Sequence, residues 1–64
     1  MEYIIKRTDT ITNEVLEERY DNLKEAQARY YDIVDRYRLA NIKGIKVDLV
    51  ECVVTERIMY TSEV

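Results

Sequence analysis

Residues 22–40, NLKEAQARYYDIVDRYRLA, decide the fold of this chain. Apolar side chains recur there every three or four residues, a spacing that at about 100° per residue places them on one side of a helix. They are Leu23, Ala26, Tyr30, Ile33 and Tyr37, with Val34 beside them. Lys24, Glu25, Arg29, Asp32, Asp35 and Arg36 fall on the opposite arc. The pattern predicts one amphipathic helix whose apolar stripe faces a core.

Both ends of this helix carry terminal signals. Asn22 precedes Glu25 by three residues, the spacing of a capping box. Asn41 can adopt the left-handed conformation that commonly ends a helix. Gly44, the only glycine, then predicts a turn into the next strand. The helix is therefore expected to span about residues 22–40.

The segment before the helix predicts a β-hairpin. Residues 2–8 and 14–20 are rich in β-branched and aromatic side chains. The residues between them lack the Asn-Gly or Asp-Gly pair of a two-residue turn, so a longer loop is expected. Neither strand is purely polar on either side, which predicts that both faces of the sheet need some cover.

The segment after the helix predicts one long strand over residues 45–54. Its apolar alternation changes parity near residues 49–51, which indicates a bulge or a strand buried on both faces. A tight hairpin is not expected, because the segment has no Gly, Pro or Asn. Residues 57–60 are expected to form a short fourth strand or an overhang, and residues 61–64 to be frayed.

This order of elements predicts an α+β fold. We expect a ββαβ(β) two-layer domain with a three- to four-stranded, mainly antiparallel sheet in the order 2-1-3 and one helix on one face. The 64 residues make a single domain. A domain this small is marginally stable, and one cysteine and no histidine leave little scope for disulfides or metals. Self-association is the expected additional source of stability.

The composition disfavours catalysis. Without histidine the commonest general base and metal ligand are missing, and no Ser/His or Cys/His pair is possible. The lone Cys52 is expected to be a small core residue in a reducing compartment. We therefore predict no catalytic residue, no cofactor and no metal site.

The charge balance disfavours nucleic acid and membranes. Ten basic and thirteen acidic residues give a net charge of −3, which provides no electrostatic footprint for phosphate. The amino-terminal residues lack the pattern of a signal peptide, and no apolar run approaches about 18 residues. The protein is expected to be cytoplasmic.

Tyrosine provides the main signal for binding. All six aromatic residues are tyrosine, which suits half-buried settings and protein interfaces. Tyr30 and Tyr37 fit the edge of a small core, whereas Tyr31 lies off the helix stripe, and Tyr3 and Tyr60 are predicted on the outer sheet face. The predicted interface set is Tyr3, Tyr31, Ile58, Tyr60, Glu17 and Glu51. The acidic side chains suit either a negative patch facing a basic site or ordinary solubility.

The layout resembles a group of small phage proteins. A strand hairpin leads into a helix entered as YDNLKEA, residues 20–26, and then into the strand KVDLVECVV, residues 46–54. This arrangement is similar to that of small ββαβ accessory proteins of phages that infect Gram-positive bacteria. The resemblance implies stoichiometric inhibition of host enzymes or of host defence systems, in the host cytosol.

The sequence therefore predicts a non-catalytic, homodimeric protein-binding module that inhibits or modulates a host protein. The dimer is expected through the exposed edge of the long third strand, paired about a two-fold axis. The alternative prediction is a small nucleic-acid-associated regulatory protein that uses cations near the outer face of the helix. Those cations are Arg29, Arg36, Arg38 and Lys43.

Overall fold

Five elements follow one another in the computed structural model, which describes all 64 residues. They are β1 (Glu2–Asp9), β2 (Val15–Tyr20), α1 (Leu23–Leu39), β3 (Ile45–Cys52) and β4 (Glu56–Glu63). The four strands form one sheet in the order β2-β1-β3-β4, and each neighbouring pair is antiparallel. The α+β class and the order 2-1-3 with one helix on one face are thus confirmed, with β4 added at the edge.

Helix α1 begins and ends at the predicted signals. The Asn22 side chain accepts a hydrogen bond from the backbone N–H of Glu25, which satisfies one of the free donors at the helix start. At the other end Asn41 has a φ of 56°, and the N–H of Ile42 donates to the carbonyl of Tyr37. This is the hydrogen bond of a Schellman motif, and it directs the chain out of the helix toward β3.

The core lies between the helix stripe and the sheet face that α1 covers. The buried set consists of Ala26, Tyr30, Ile33 and Val34 from the helix and Tyr3, Ile5, Val47 and Leu49 from the sheet. Leu23 and Tyr37 are partly buried and pack against this set. The predicted stripe therefore faces the core along its whole length.

The opposite sheet face has no helix over it, yet three of its residues, Ile4, Asp48 and Val50, are buried. Ile4 of β1 and Val50 of β3 lie directly opposite each other and are only 2% and 3% exposed. On this face Lys6 of β1 forms an ion pair of 3.0 Å with Glu56 of β4, so this contact crosses β3. Long charged side chains that lie across the strands provide part of the cover that the sequence predicts for this face.

The segment after the helix differs from its prediction. β3 ends at Cys52 instead of residue 54, and β4 spans eight residues instead of a short strand or an overhang. Together they form a hairpin that the sequence did not indicate. The turn between them contains Val53 and Val54, whose side chains are exposed, and no Gly, Pro or Asn. Turn chemistry therefore gives no local signal at this point.

The last residues of the chain are paired, so the prediction that residues 61–64 are frayed is wrong. The N–H of Val64 donates to the carbonyl of Ile45 at 3.0 Å, and the carbonyl of Val64 accepts from the N–H of Gly44 at 2.8 Å. Gly44 has a φ of 82°, in the left-handed region that favours glycine. A β-carbon there would meet the nearest atom at 3.6 Å, so backbone conformation, and not lack of space, requires glycine.

Of the two alternatives that the sequence leaves for the middle of β3, burial on both faces is confirmed, because residues 47–50 are all buried, whereas the bulge lies on the neighbouring strand. Leu49 pairs with Tyr60 and Val50 pairs with Ile58, which leaves Met59 without a partner. This β-bulge reverses the alternation along β4. As a result Tyr60 lies on the helix side of the sheet and Ile58 lies on the outer face.

Candidate protein-binding surface

Two predicted interface residues lie on the side of the sheet opposite to the predicted one. Tyr3 is only 7% exposed and belongs to the core, because it shares the parity of Ile5 on β1. Tyr60 lies on the helix side because of the bulge at Met59. The prediction that Tyr3 and Tyr60 face outward from the sheet is therefore wrong, and Tyr3 is not available to a partner.

The other four predicted interface residues do not form one group. Tyr31 is exposed on the helix. Ile58 and Glu17 are exposed on the outer face, on the two opposite edge strands. Glu51 is half-buried and forms an ion pair of 3.6 Å with Arg57. Only Tyr31 and Tyr60 come together, and Ile58 lies close to Tyr60 along β4.

Three tyrosine rings form one group where α1 meets β4. The centroids of Tyr31 and Tyr60 are 6.2 Å apart, and they lie 5.4 and 5.9 Å from that of Tyr30. Tyr30 is buried, and its hydroxyl shares a hydrogen bond of 2.6 Å with Ser62. Gln27 donates a hydrogen bond to the Tyr60 hydroxyl. The buried ring thus holds two exposed rings in place, so that they present an ordered aromatic surface.

Strand β4 is an edge of the sheet, because β3 is its only neighbour. Its residues 58–62, Ile-Met-Tyr-Thr-Ser, carry no charge. Edge strands offer unpaired backbone N–H and C=O groups, and proteins protect them with charged side chains, proline or bulges. Of these three kinds of protection, residues 58–62 have only the bulge. We call Ile58, Tyr60 and Thr61 of this strand, together with Tyr31, the β4 surface.

The other edge strand, β2, is protected by charge. Glu17, Glu18 and Arg19 occupy its middle, and each takes part in an ion pair with a neighbouring element. The exposed apolar side chains of Val15 and Leu16 lie at one end of β2. Of the two edges, β4 is therefore better suited to receive an added strand.

The single thiol has no activating surroundings. Cys52 is half-buried on the outer face, so the prediction that it belongs to the core is wrong. Partial burial, with the negative charges of Glu56 and Glu2, raises the pKa of the Cys52 thiol. The nucleophilic thiolate is thereby disfavoured. No group of three or more His, Cys, Asp or Glu side chains is placed to hold a metal ion.

The ion pair on the outer face is sensitive to pH. A hydrogen bond from Lys6, together with its positive charge, lowers the pKa of Glu56. The same hydrogen bond raises the pKa of Lys6, against the opposing effect of burial. The contribution of Glu56 to stability is therefore present above its ordinary pKa of 4.5 and lost as the pH falls through the lowered folded-state value. That of Lys6 is present below 10.5 and lost as the pH rises through the raised value.

The Glu56→Gln variant is expected to be slightly less stable than the wild type at neutral pH and equally stable in acid. Glutamine cannot carry the charge that Lys6 contacts, whereas a protonated Glu56 resembles glutamine. Urea unfolding of both proteins at several pH values measures the difference. Glu63→Gln, on the same strand and outside any ion pair, is the matched control. A stability difference that does not vary with pH would contradict the assignment.

The cations of the alternative nucleic-acid prediction are partly neutralised. Arg29 forms ion pairs with Glu18 at 3.3 Å and with Asp32 at 3.0 Å, and Arg36 contacts Asp32 at 3.1 Å. Although partial burial opposes it, the charge and hydrogen bond of Glu18 raise the pKa of Arg29. Asp32 thus lies between Arg29 and Arg36 on the helix, and Glu18 of β2 provides a second carboxylate beside Arg29. Carboxylates among these cations weaken attraction to a phosphate backbone.

Comparison of the chain with protein-family models, with curated proteins and with solved structures gave no match. The single helix is neither long enough nor apolar enough to cross a membrane.

Proposed function

We propose that this chain is a non-catalytic protein-binding module that works as a homodimer and inhibits or modulates a host protein. The observation that carries the proposal is the uncharged run of residues 58–62 on an edge strand, protected there only by the bulge at Met59, next to the adjacent side chains of Tyr31 and Tyr60. The inhibitory role is supported by the resemblance in layout to small phage accessory proteins.

The dimer of this proposal forms through β4. The sequence favours the edge of the third strand, but β3 lies between β1 and β4 and has no free edge. Pairing β4 with its copy, antiparallel about a two-fold axis, joins the backbone groups that each edge leaves open. The sheet then continues across both copies, and both helices lie on the same side of it.

The target site of this proposal lies at the junction between the two copies. The two-fold axis places the Tyr31 and Tyr60 side chains of both copies on one face, on either side of the paired strands. Tyrosine supplies large contact area at a low entropic cost and is enriched among residues that dominate binding energy. Two such pairs make an aromatic centre, and the charged side chains of the rest of the surface form the rim.

The chemistry of the chain supports binding rather than catalysis. The sequence has no histidine to act as a general base. Its only thiol, Cys52, has a raised pKa next to Glu56, which is the reverse of what an activated nucleophile needs.

The Ile58→Lys variant is expected to abolish the dimer. Ile58 is 57% exposed on β4, and a lysine there brings positive charge to an edge whose pairing places two copies close together. Sedimentation equilibrium measures the mass. The wild type is expected at twice the 7.7 kDa of one chain and the variant at 7.7 kDa.

Leu16→Lys is the matched control for this variant. Leu16 is equally apolar and 60% exposed, but it lies on β2, the opposite edge strand. It is expected to leave the dimer intact. A wild-type mass of 7.7 kDa at every concentration would contradict the proposed dimer. Loss of the dimer in Leu16→Lys alone would show that the dimer forms through β2 instead.

A further inference from the structure

We propose that a cleft between α1 and β1, away from the β4 surface, binds a carboxylate group. The cleft has a volume of about 190 Å³, and its lining consists of Arg7 from β1 and of Arg29, Ile33, Arg36 and Tyr37 from α1. Three of these five side chains end in a guanidinium group. This inference does not depend on the proposed dimer or on its target.

The net charge around the cleft favours the binding of one anion. Two carboxylates lie next to the three guanidinium groups: Glu18 contacts Arg7 and Arg29, and Asp32 contacts Arg29 and Arg36. Three positive and two negative side chains leave one positive charge at this place, whereas the whole chain has a net charge of −3. A singly charged anion balances the cleft, and a doubly charged phosphate leaves it negative. The charge count therefore favours a carboxylate.

Most hydrogen-bond donors of the cleft have no partner in the chain. Arg7 donates to the Tyr37 hydroxyl, and its own Nε–H is buried without a partner, as is Oε2 of Glu18, 3.8 Å from Nη2 of Arg7. Arg36 makes a single hydrogen bond, to Asp32. A guanidinium group presents its N–H donors as a planar fork that matches the two oxygens of a carboxylate. The donors of Arg36 that remain accessible thus lie at the place of the positive charge.

Two further side chains favour a carboxylate in this cleft. The Tyr37 oxygen accepts from Arg7, so its own O–H remains able to donate to an anion. Ile33 is buried and supplies an apolar wall. Hydrogen bonds to a charged group are stronger next to such a wall than in open water.

Acetate is the probe for this site, with chloride at equal ionic strength as the reference. In protein labelled with ¹⁵N at arginine, the side-chain Nε–H signals of Arg29 and Arg36 are expected to shift with acetate and to saturate. A capped peptide with one glutamate distinguishes an acidic side chain of a protein from a free small carboxylate. The ligand that binds more tightly shows whether the cleft prefers a protein side chain or a free small carboxylate. Saturable binding of either ligand supports the proposed site.

Arg36→Gln is the variant that tests the assignment. Arg36 is exposed on the helix, so the fold is expected to persist while affinity for acetate falls about tenfold, because one charged donor group is lost. Arg38→Gln, on the same last turn of the helix and outside the cleft, is expected to leave affinity unchanged. Shifts that are the same with chloride, that do not saturate, or that are unchanged in Arg36→Gln would overturn the proposal.

Discussion

Replacing Leu49 by alanine is expected to remove most of the stability of the folded chain. Leu49 is completely buried on β3, which pairs on both sides and packs under the helix. Truncating a buried leucine to alanine costs about 3 to 5 kcal/mol, whereas a chain of this length has only about 3 to 10 kcal/mol in total. Urea unfolding at 25 °C, followed by circular dichroism, should show a midpoint at a much lower urea concentration, or no transition.

Leu39→Ala provides the comparison for this experiment. Leu39 is the last residue of α1 and is 88% exposed. Its truncation is expected to change the free energy of unfolding by no more than about 0.5 kcal/mol, as for most surface positions. Equal losses in the two variants would mean that the core does not lie where the helix stripe meets β3.

The helix could be predicted because its signals are local. The apolar stripe repeats over four turns, Asn22 marks the beginning, and Asn41 marks the end. Each signal acts within a few residues, so a single sequence contains all the information that it needs. The strand hairpin before the helix followed from the same kind of local pattern, and its place in the sheet followed from the rules that govern connections between elements.

Strand β4 could not be predicted in the same way. Two exposed valines, Val53 and Val54, form the turn before it, and their side chains suggest a continuing strand. The turn forms because β4 finds backbone partners along β3, which is a tertiary effect. The bulge at Met59 then determines which face Tyr60 occupies. Parity counted along the sequence cannot locate such a bulge on one strand rather than on its neighbour.

The candidate site was predictable only in part. Tyr31 lies off the helix stripe, and this alone indicates exposure. Its proximity to Tyr60 requires that β4 lies next to the helix, and no local pattern in the sequence predicts this. Arg7, in the carboxylate cleft, was missed although a signal exists: it shares the parity of Ile5, so it lies on the helix side of β1.

The Tyr31→Ala/Tyr60→Ala double variant is expected to bind the proposed target protein at least about 100-fold more weakly than the wild type. Both side chains are exposed and adjacent, and truncation of an aromatic hot-spot residue costs about 2 kcal/mol or more. The buried Tyr30 is unchanged, so the core should remain folded. Circular dichroism and urea unfolding of the variant verify this before binding is measured.

Capture of the target decides whether the β4 surface is the site of protein binding. The tagged chain is used to capture proteins from a native lysate of its host, mass spectrometry identifies the target, and titration then gives its affinity. The control is Leu16→Ala/Leu39→Ala, which removes two exposed side chains outside the β4 surface. We expect one stoichiometric target that binds the wild type and the control equally and the double tyrosine variant far more weakly. A target that binds all three equally, or that only the control loses, would contradict it.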